Sequence, residues 1–186
     1  MKKLTKMMLT KWHYFEHKII DFEDINFLTG KNSSGKSTLI DALQVVLLGE
    51  TDGTSFNKAA DIKATRSFTS YIVGELGDDI NGGEKSLRGG KEFTTQLVCE
   101  FKDTMNDEYF CIGILVDSYS DMANAKRTFF RLRDRLDESD FIYDNQPRNI
   151  NQFKGWCREK YGKDDKAIKF MDTNNEYRQT ILSMYN

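Results

Sequence analysis

The hydrophobic pattern of residues 25–49 changes from that of a strand to that of a helix. Ile25, Phe27 and Leu28 form a short apolar run, which predicts a buried strand ending at Thr29. After a polar stretch, apolar residues recur at helical spacing and predict an amphipathic helix closed by Gly49. These residues are Leu39, Ile40, Leu43, Val46 and Leu47. The sequence therefore predicts a strand, a loop and a helix in this order.

The remaining chain predicts more strands and then two helices. Strand-like segments cover residues 92–101, 108–117 and 126–134, with polar turns between them. Residues 149–162 predict a helix capped by Asn149 or Asn151 and stopped by Gly162, and another begins near residue 173. Residues 74–93 hold six glycines and predict a mobile loop, either a phosphate cradle or a solvated hairpin. We expect an α/β fold: a mixed sheet around the first helix plus an antiparallel strand layer at 92–143.

Composition narrows the class of protein. The chain has 186 residues, 39% hydrophobic and 30% charged, with one proline, which suits one compact domain or one lobe of a larger one. Without a long apolar run or a signal-peptide core, we expect a cytoplasmic protein with no membrane contact. A net charge of −2 gives no overall attraction to DNA. The basic run at 125–135 could offer one face to DNA phosphate, or could be a solvated face.

Residues 30–38 read GKNSSGKST and match G-x-x-x-x-G-K-[ST] without a gap. Between a strand and a helix, this motif forms a nest of backbone N–H groups for phosphates, from about Ser33 onward. Lys36 would reach the β and γ phosphates, the Ser37 hydroxyl would bind Mg²⁺, and Thr38 would lie near the α phosphate. The alternative is a plain glycine turn with a solvated lysine. Nucleotide binding is the strongest functional prediction.

Hydrolysis also needs a carboxylate for Mg²⁺ and a residue that orients water. The apolar run before Asp117 resembles the strand that ends in such a carboxylate. However, Ser118 follows where ATPases of the ABC class carry a catalytic glutamate. The simpler interpretation is that Asp117 ends an antiparallel strand. No L-S-G-G-Q signature is present, so the chain carries half of an ATPase site.

Two other sets of residues could suggest chemistry. His13 and His17 spell H-x-x-E-H, a zinc-peptidase signature that requires a helix. The aromatic and β-branched residues around them favour strands, in which the two imidazoles could not share a metal. Cys99, Cys111 and Cys157 fit no C-x-x-C spacing and are predicted to be buried thiols rather than a metal or redox site.

Residues 11–50, from KWHYF through the phosphate loop to STLIDALQVVLLGE, resemble the start of an SMC-like ABC ATPase head. Residues 52–79, with FNKAA, an arginine and a tyrosine-containing helix, are similar to the MukB-like and Wadjet-type (JetC-like) SMC subunits. The resemblance implies an N-terminal head lobe with four parts: 1–50 with strands, phosphate loop and helix, 51–91 as an insertion, 92–146 as antiparallel strands, and 147–186 leading toward a coiled coil. A C-terminal lobe would complete the site.

The resemblance also implies site residues and partners. The nucleotide contacts would come from the phosphate loop: Gly30, Asn32, Ser33, Ser34, Gly35, Lys36, Ser37 and Thr38. Arg66 would approach nucleotide or DNA near the γ phosphate. Ser33 stands where many relatives have glycine, at a cost of about 1 kcal/mol if φ is positive there. Implied ligands and partners are ATP, Mg²⁺, a second head in a homodimer, kleisin-like and accessory subunits, and DNA.

Several points stay open from the residues alone. The Q-loop glutamine could be Gln146 or Gln179, and Trp12, Tyr14 or Phe15 could stack on the base or pack in the core. A rival function is a self-contained small NTPase or kinase, with Asp117 binding Mg²⁺ and residues 74–93 holding a substrate. A third is a non-catalytic module for nucleotide binding or dimerisation.

Overall fold

A six-stranded antiparallel sheet forms the centre of the computed structural model, which describes residues 1–32, 34–53, 56, 67–78 and 84–185. The strand order is β10-β7-β6-β5-β1-β2. The strands are β1 Lys2–Trp12, β2 Phe15–Asp21, β3 Glu75–Asp78, β4 Glu84–Ser86, β5 Phe93–Asp103, β6 Glu108–Ser118, β7 Lys126–Leu132, β8 Ile142–Tyr143, β9 Gln146–Pro147 and β10 Ile168–Met171. The helices are α1 Lys36–Leu48, α2 Phe68–Val73, α3 Glu138–Phe141, α4 Ile150–Tyr161 and α5 Asn174–Tyr185.

Every strand pair in the described part of the sheet is antiparallel, so the mixed sheet expected around α1 is not observed there. Short connections explain this result, because tight turns join β1 to β2 and β5 to β6, and such turns only permit antiparallel neighbours. In the β5–β6 turn, Asp107 adopts a φ of 58°. The antiparallel layer predicted at 92–143 is confirmed by β5, β6 and β7.

Helices cover both faces of the sheet. Helices α1, α2 and α5 pack on one face, against residues such as Leu9 and Ile114, while α4 packs on the other against Leu115 and Phe130. Neighbouring residues of one strand therefore enter different cores, and both faces of β5 and β6 are buried. β6 is a nearly continuous apolar run for this reason, whereas β5 also buries Thr95, Gln96 and Glu100. All three cysteines are buried free thiols, as predicted.

The predicted helices form, and α1 buries most of the expected face. α1 ends at Gly49, whose φ of 60° suits glycine. Its buried side chains are Thr38, Leu39, Asp41, Ala42, Val45 and Val46, whereas Ile40 is 38% exposed. Of the predicted stripe, Leu39 and Val46 lie in the core and Leu43 and Leu47 pack against it. The prediction missed the small Ala42 and the hydrogen-bonded Asp41, which are also buried. α4 has the expected cap at Asn149 and stop at Gly162, and α5 begins at Asn174 as expected.

The strand predicted before the phosphate loop is wrong. After β2 ends at Asp21, the side chain of Asn26 accepts a hydrogen bond from Glu23 N (2.9 Å) and donates one to Glu23 O (2.7 Å). This local turn redirects the chain. Ile25, Phe27 and Leu28 are consequently not in a strand, and they are 76%, 86% and 48% exposed.

The glycine-rich segment contains a pair of antiparallel strands, which agrees with the hairpin alternative. β3 pairs with β4, and residues 79–83 lie outside the described residues. In the basic run, Arg127 donates to Thr51 Oγ1 (2.7 Å), and Arg131 donates to the carbonyls of Asp165 and Lys166. These contacts favour a structural role for this run. In the part of the chain described, none of the helices has the length and apolar character needed to cross a membrane.

Candidate nucleotide-binding site

The phosphate loop holds the Lys36 ammonium group at its centre. Lys36 Nζ donates to Gly30 O (2.7 Å), Lys31 O (2.8 Å) and Ser34 Oγ (3.3 Å). All three acceptors belong to the loop itself, so the lysine crosses it at the place where phosphate oxygens could compete for the same donor. Ser33 and Arg66 lie outside the described residues, and their predicted roles remain predictions.

The first turn of α1 provides donors that suit an anion. Gly35, the residue before the helix, has a φ of 98°, and no side chain caps the turn. Helix N-termini carry unsatisfied N–H groups and a partial positive charge, and the first turn of α1 contains no acidic residue. The loop and the helix start therefore fit a phosphate group.

Ser37 and Thr38, the two residues after Lys36, differ in burial. Thr38 is only 7% exposed, and its carbonyl accepts a hydrogen bond from Trp12 Nε1 (3.0 Å). Ser37 is half-buried in the same turn. No cluster of three or more His, Cys, Asp or Glu side chains suited to a metal occurs in the described ranges. Mg²⁺ favours a few protein oxygens together with nucleotide phosphates, so Ser37 fits this ion only in the company of a nucleotide.

Comparison with known proteins agrees with this geometry. Residues 4–63 match the family described as the P-loop containing region of AAA domain. The chain is also similar to the SbcC component of the nuclease SbcCD from Staphylococcus haemolyticus (strain JCSC1435), with 24% identity over 199 residues. That alignment covers 96% of this chain but 17% of the relative. The fold is that of an α/β P-loop NTPase lobe.

The turn between β1 and β2 lies against the P-loop of this NTPase lobe. A Cβ on Gly35 would be 2.7 Å from Tyr14 Oη and 3.1 Å from the Phe15 ring. Tyr14 is 39% exposed, whereas Trp12 is fully buried. Of the aromatic residues considered for base stacking, Trp12 therefore belongs to the core and Tyr14 lies at the rim of the P-loop.

Arg88 holds this turn in place. Its side chain is 5% exposed and donates to Ile72 O (3.2 Å), to His13 O and to Glu16 Oε1 (2.7 Å). Lys11 also pairs with Glu16, and the two cations hold the pKa of that carboxyl below its usual value although burial opposes them. Arg88 could not be found from the sequence, because an arginine followed by two glycines carries no signal of burial.

A buried network also attaches the P-loop helix to α2. Tyr71 donates its hydroxyl proton to Asp41 Oδ2, and its ring stacks on Trp12 with centroids 4.8 Å apart. Asp41 is fully buried and Tyr71 is 3% exposed. Together with the bond from Trp12 to Thr38 O, these contacts fix the first two turns of α1 against β1 and α2.

Asp117 lies at the end of β6, beside the start of β5 and the start of α4. It accepts hydrogen bonds from Thr94 Oγ1 (2.9 Å) and from Ile150 N (3.2 Å) at the start of α4, and burial raises the pKa of its carboxyl. Asp117 therefore ends an antiparallel strand, as the simpler interpretation predicted. It lines a cavity of about 440 Å³ together with Arg88, Lys91 and Phe93. None of the described residues of 30–38 lines this cavity, so Asp117 and Lys36 do not form one site.

The histidine motif is not a metal site. His13 lies in the turn after β1 and His17 in β2. The two ring nitrogens of His17 are hydrogen-bonded to Thr10 Oγ1 (2.9 Å) and Glu138 Oε1 (2.7 Å). The strand interpretation of this segment is confirmed.

The two glutamine candidates lie far apart in the fold. Gln146 is in β9 and lines the cavity beside Asp117, while Gln179 is exposed on α5. The assignment of a Q-loop glutamine stays a prediction.

Proposed function

We propose that this chain is the ATP-binding N-terminal lobe of an SMC-like ATPase head, which hydrolyses ATP only with a C-terminal lobe. The observation that carries this proposal is that the P-loop suits phosphate while the candidate carboxylate, Asp117, lies in another cavity. Lys36 and the start of α1 suit phosphate, but Asp117 is bonded to Thr94 and α4 in another cavity. A phosphate cradle without a hydrolytic carboxylate suits one half of a shared site.

Exposed apolar residues support the need for a second lobe. Ile25, Phe27 and Leu28 directly precede the P-loop and are 76%, 86% and 48% exposed. Apolar side chains that cluster at a surface commonly mark a contact site. A C-terminal lobe packed here would lie beside the nucleotide, where a Mg²⁺-binding carboxylate and a catalytic glutamate are needed.

Each P-loop residue has a specific task in this proposal. Lys36 would exchange its loop acceptors for β- and γ-phosphate oxygens, and the N–H groups of the first α1 turn would bind the same anion. Gly30, Asn32, Ser33, Ser34 and Gly35 would shape the loop, and Thr38 would lie near the α phosphate. The Ser37 hydroxyl would orient toward Mg²⁺, which when bound supplies charge neutralisation. Arg66 would approach the γ phosphate or DNA.

The resemblance of residues 52–79 to MukB-like and Wadjet-type subunits suggests the larger role. We infer that two such heads engage around ATP, assemble with kleisin-like and accessory subunits, and act on DNA in chromosome condensation or anti-plasmid defence. The relative from S. haemolyticus is named as one subunit of a nuclease, and this name supports a role for the present chain within a multi-subunit assembly.

ATP binding and turnover by the purified chain with Mg²⁺ test the proposal. Lys36→Ala should weaken ATP binding by about 10- to 100-fold, because a charge-assisted hydrogen bond contributes about 1.5–3 kcal/mol. Lys31→Ala is the matched control, since only the backbone carbonyl of Lys31 contacts Lys36. We expect binding without turnover by the chain alone, and turnover once a complementary C-terminal lobe is added.

Two other outcomes would contradict the proposal. Lys36-dependent turnover by the isolated chain, abolished in Asp117→Ala, would favour the self-contained NTPase. The supporting observation for it is the cavity that Asp117 shares with Leu87, Arg88 and residues 91–93. ATP binding that never leads to turnover, even beside a C-terminal lobe, would favour a non-catalytic module.

A further inference from the structure

The C-terminal end of the P-loop helix is bonded to α5. Tyr177 Oη donates to Val46 O (2.7 Å), Arg178 Nε donates to Leu48 O (2.8 Å), and Asn174 Nδ2 donates to Gly49 O (2.7 Å). The last carbonyls of a helix have no partner within the helix itself. Three side chains at the start of α5, which is distant in the sequence, thus donate hydrogen bonds to backbone carbonyls at the C-terminal end of α1.

The contact permits little movement between the two helices. Tyr177 is fully buried and stacks on Phe129 of β7 with centroids 4.4 Å apart. A Cβ on Gly49 would be 2.8 Å from the Tyr177 ring and 3.2 Å from Arg178 Cγ. Only glycine allows both the φ of 60° and this close approach. The start of α5 therefore packs closely against the C-terminal end of α1 and opposes a shift of α1 along the axis of that helix.

The two ends of α1 have complementary electrostatics. Phosphate at the N-terminal end and a cation at the C-terminal end both stabilise the same helix dipole. Lys36 and Leu48 are separated by about 18 Å of helix, and the Arg178 guanidinium group lies at the far end. A continuous helix held at both ends is a rigid element that can couple its two termini.

We propose that Asn174, Tyr177 and Arg178 are positioning residues for the nucleotide site, which they influence through α1. Docking of α5 on α1 strengthens the binding of ATP. This effect rests on the proposed binding of ATP at the P-loop. Because such coupling is reciprocal, ATP must stabilise the docked α5 by the same free energy. A purely structural contact would leave the nucleotide affinity of the folded chain unchanged.

Hydrogen exchange on the unaltered chain tests the reciprocal effect. Mg²⁺ with a slowly hydrolysed ATP analogue should slow amide exchange in peptides covering residues 174–185 by at least about threefold, and this slowing should be absent in Lys36→Ala. Bound nucleotide with unchanged exchange in α5 would overturn the inference and leave the proposed function intact. Failure of the nucleotide to bind would overturn both.

Substitutions on α5 test the forward effect. The double variant Asn174→Ala, Arg178→Ala should weaken binding of the analogue by at least about fivefold. The control is Glu176→Gln, which lies on the same helix but pairs with Lys169 of β10 at 3.5 Å, and it should bind like the original chain. Equal affinities in all three proteins would overturn the inference. If the double variant unfolds, Tyr177→Phe removes only the hydroxyl bond to Val46 and replaces it in the same comparison.

Discussion

Removal of the Tyr71 hydroxyl group should destabilise the chain measurably. Tyr71→Phe keeps the ring that stacks on Trp12 but deletes the hydroxyl that donates to buried Asp41. Loss of a hydrogen bond to a charged partner costs about 1.5–3 kcal/mol. In a chain of this length each kcal/mol lowers Tm by about 2–4 °C. We expect a loss of about 2 kcal/mol and a fall in Tm of about 4–8 °C.

Urea unfolding monitored by circular dichroism would measure this change. Tyr143→Phe is the matched control, because Tyr143 is 69% exposed and its hydroxyl should contribute less than about 0.5 kcal/mol. Asp41→Asn retains an acceptor oxygen without the charge, so Tyr71→Phe should cost only about 1 kcal/mol in that background. A Tyr71→Phe variant as stable as the control would refute the importance of the Asp41 contact for holding α1.

Three further predictions concern the sheet and its buried groups. Gly113→Ala should cost about 1–3 kcal/mol in urea unfolding, because the added Cβ would lie 2.4 Å from Leu97 O on the neighbouring strand; a neutral effect would contradict this packing. Burial raises the pKa of Asp117, so the folded chain holds that proton more tightly and its stability falls as pH rises through the folded pKa. The stability of Asp117→Asn relative to the original chain should therefore increase from about pH 3 to about pH 7, and a difference independent of pH would disprove the argument. Cys157 is 1% exposed and burial raises its pKa to about 12, so it should react with Ellman's reagent only after unfolding; rapid labelling of the native chain would contradict this.

Local chemistry explains which elements could be predicted from the sequence. The P-loop, the end of α1 at Gly49 and the bounds of α4 depend on glycines and caps that act within a few residues. The burial of the polar Asp41 and the contact of α1 with α5 depend instead on distant partners: Tyr71 bonds Asp41, and Tyr177 bonds the Val46 carbonyl. Arg88 was missed for the same reason, since its acceptors come from residues 13, 16 and 72. The periodicity of apolar residues along the sequence does not reveal these long-range contacts.

The incorrect strand at residues 25–28 has a more informative cause. Its apolar pattern encodes burial, and a hydrophobic pattern does not specify which surface provides that burial. In this fold β2 is the edge of the sheet and the Asn26 turn leads the chain away from it, so Ile25, Phe27 and Leu28 remain exposed. The pattern and the structure agree if these residues are buried by another part of a larger assembly. The same further surface would supply the carboxylate that Asp117 does not supply to the P-loop, because Asp117 is bonded to Thr94 and Ile150 in another cavity.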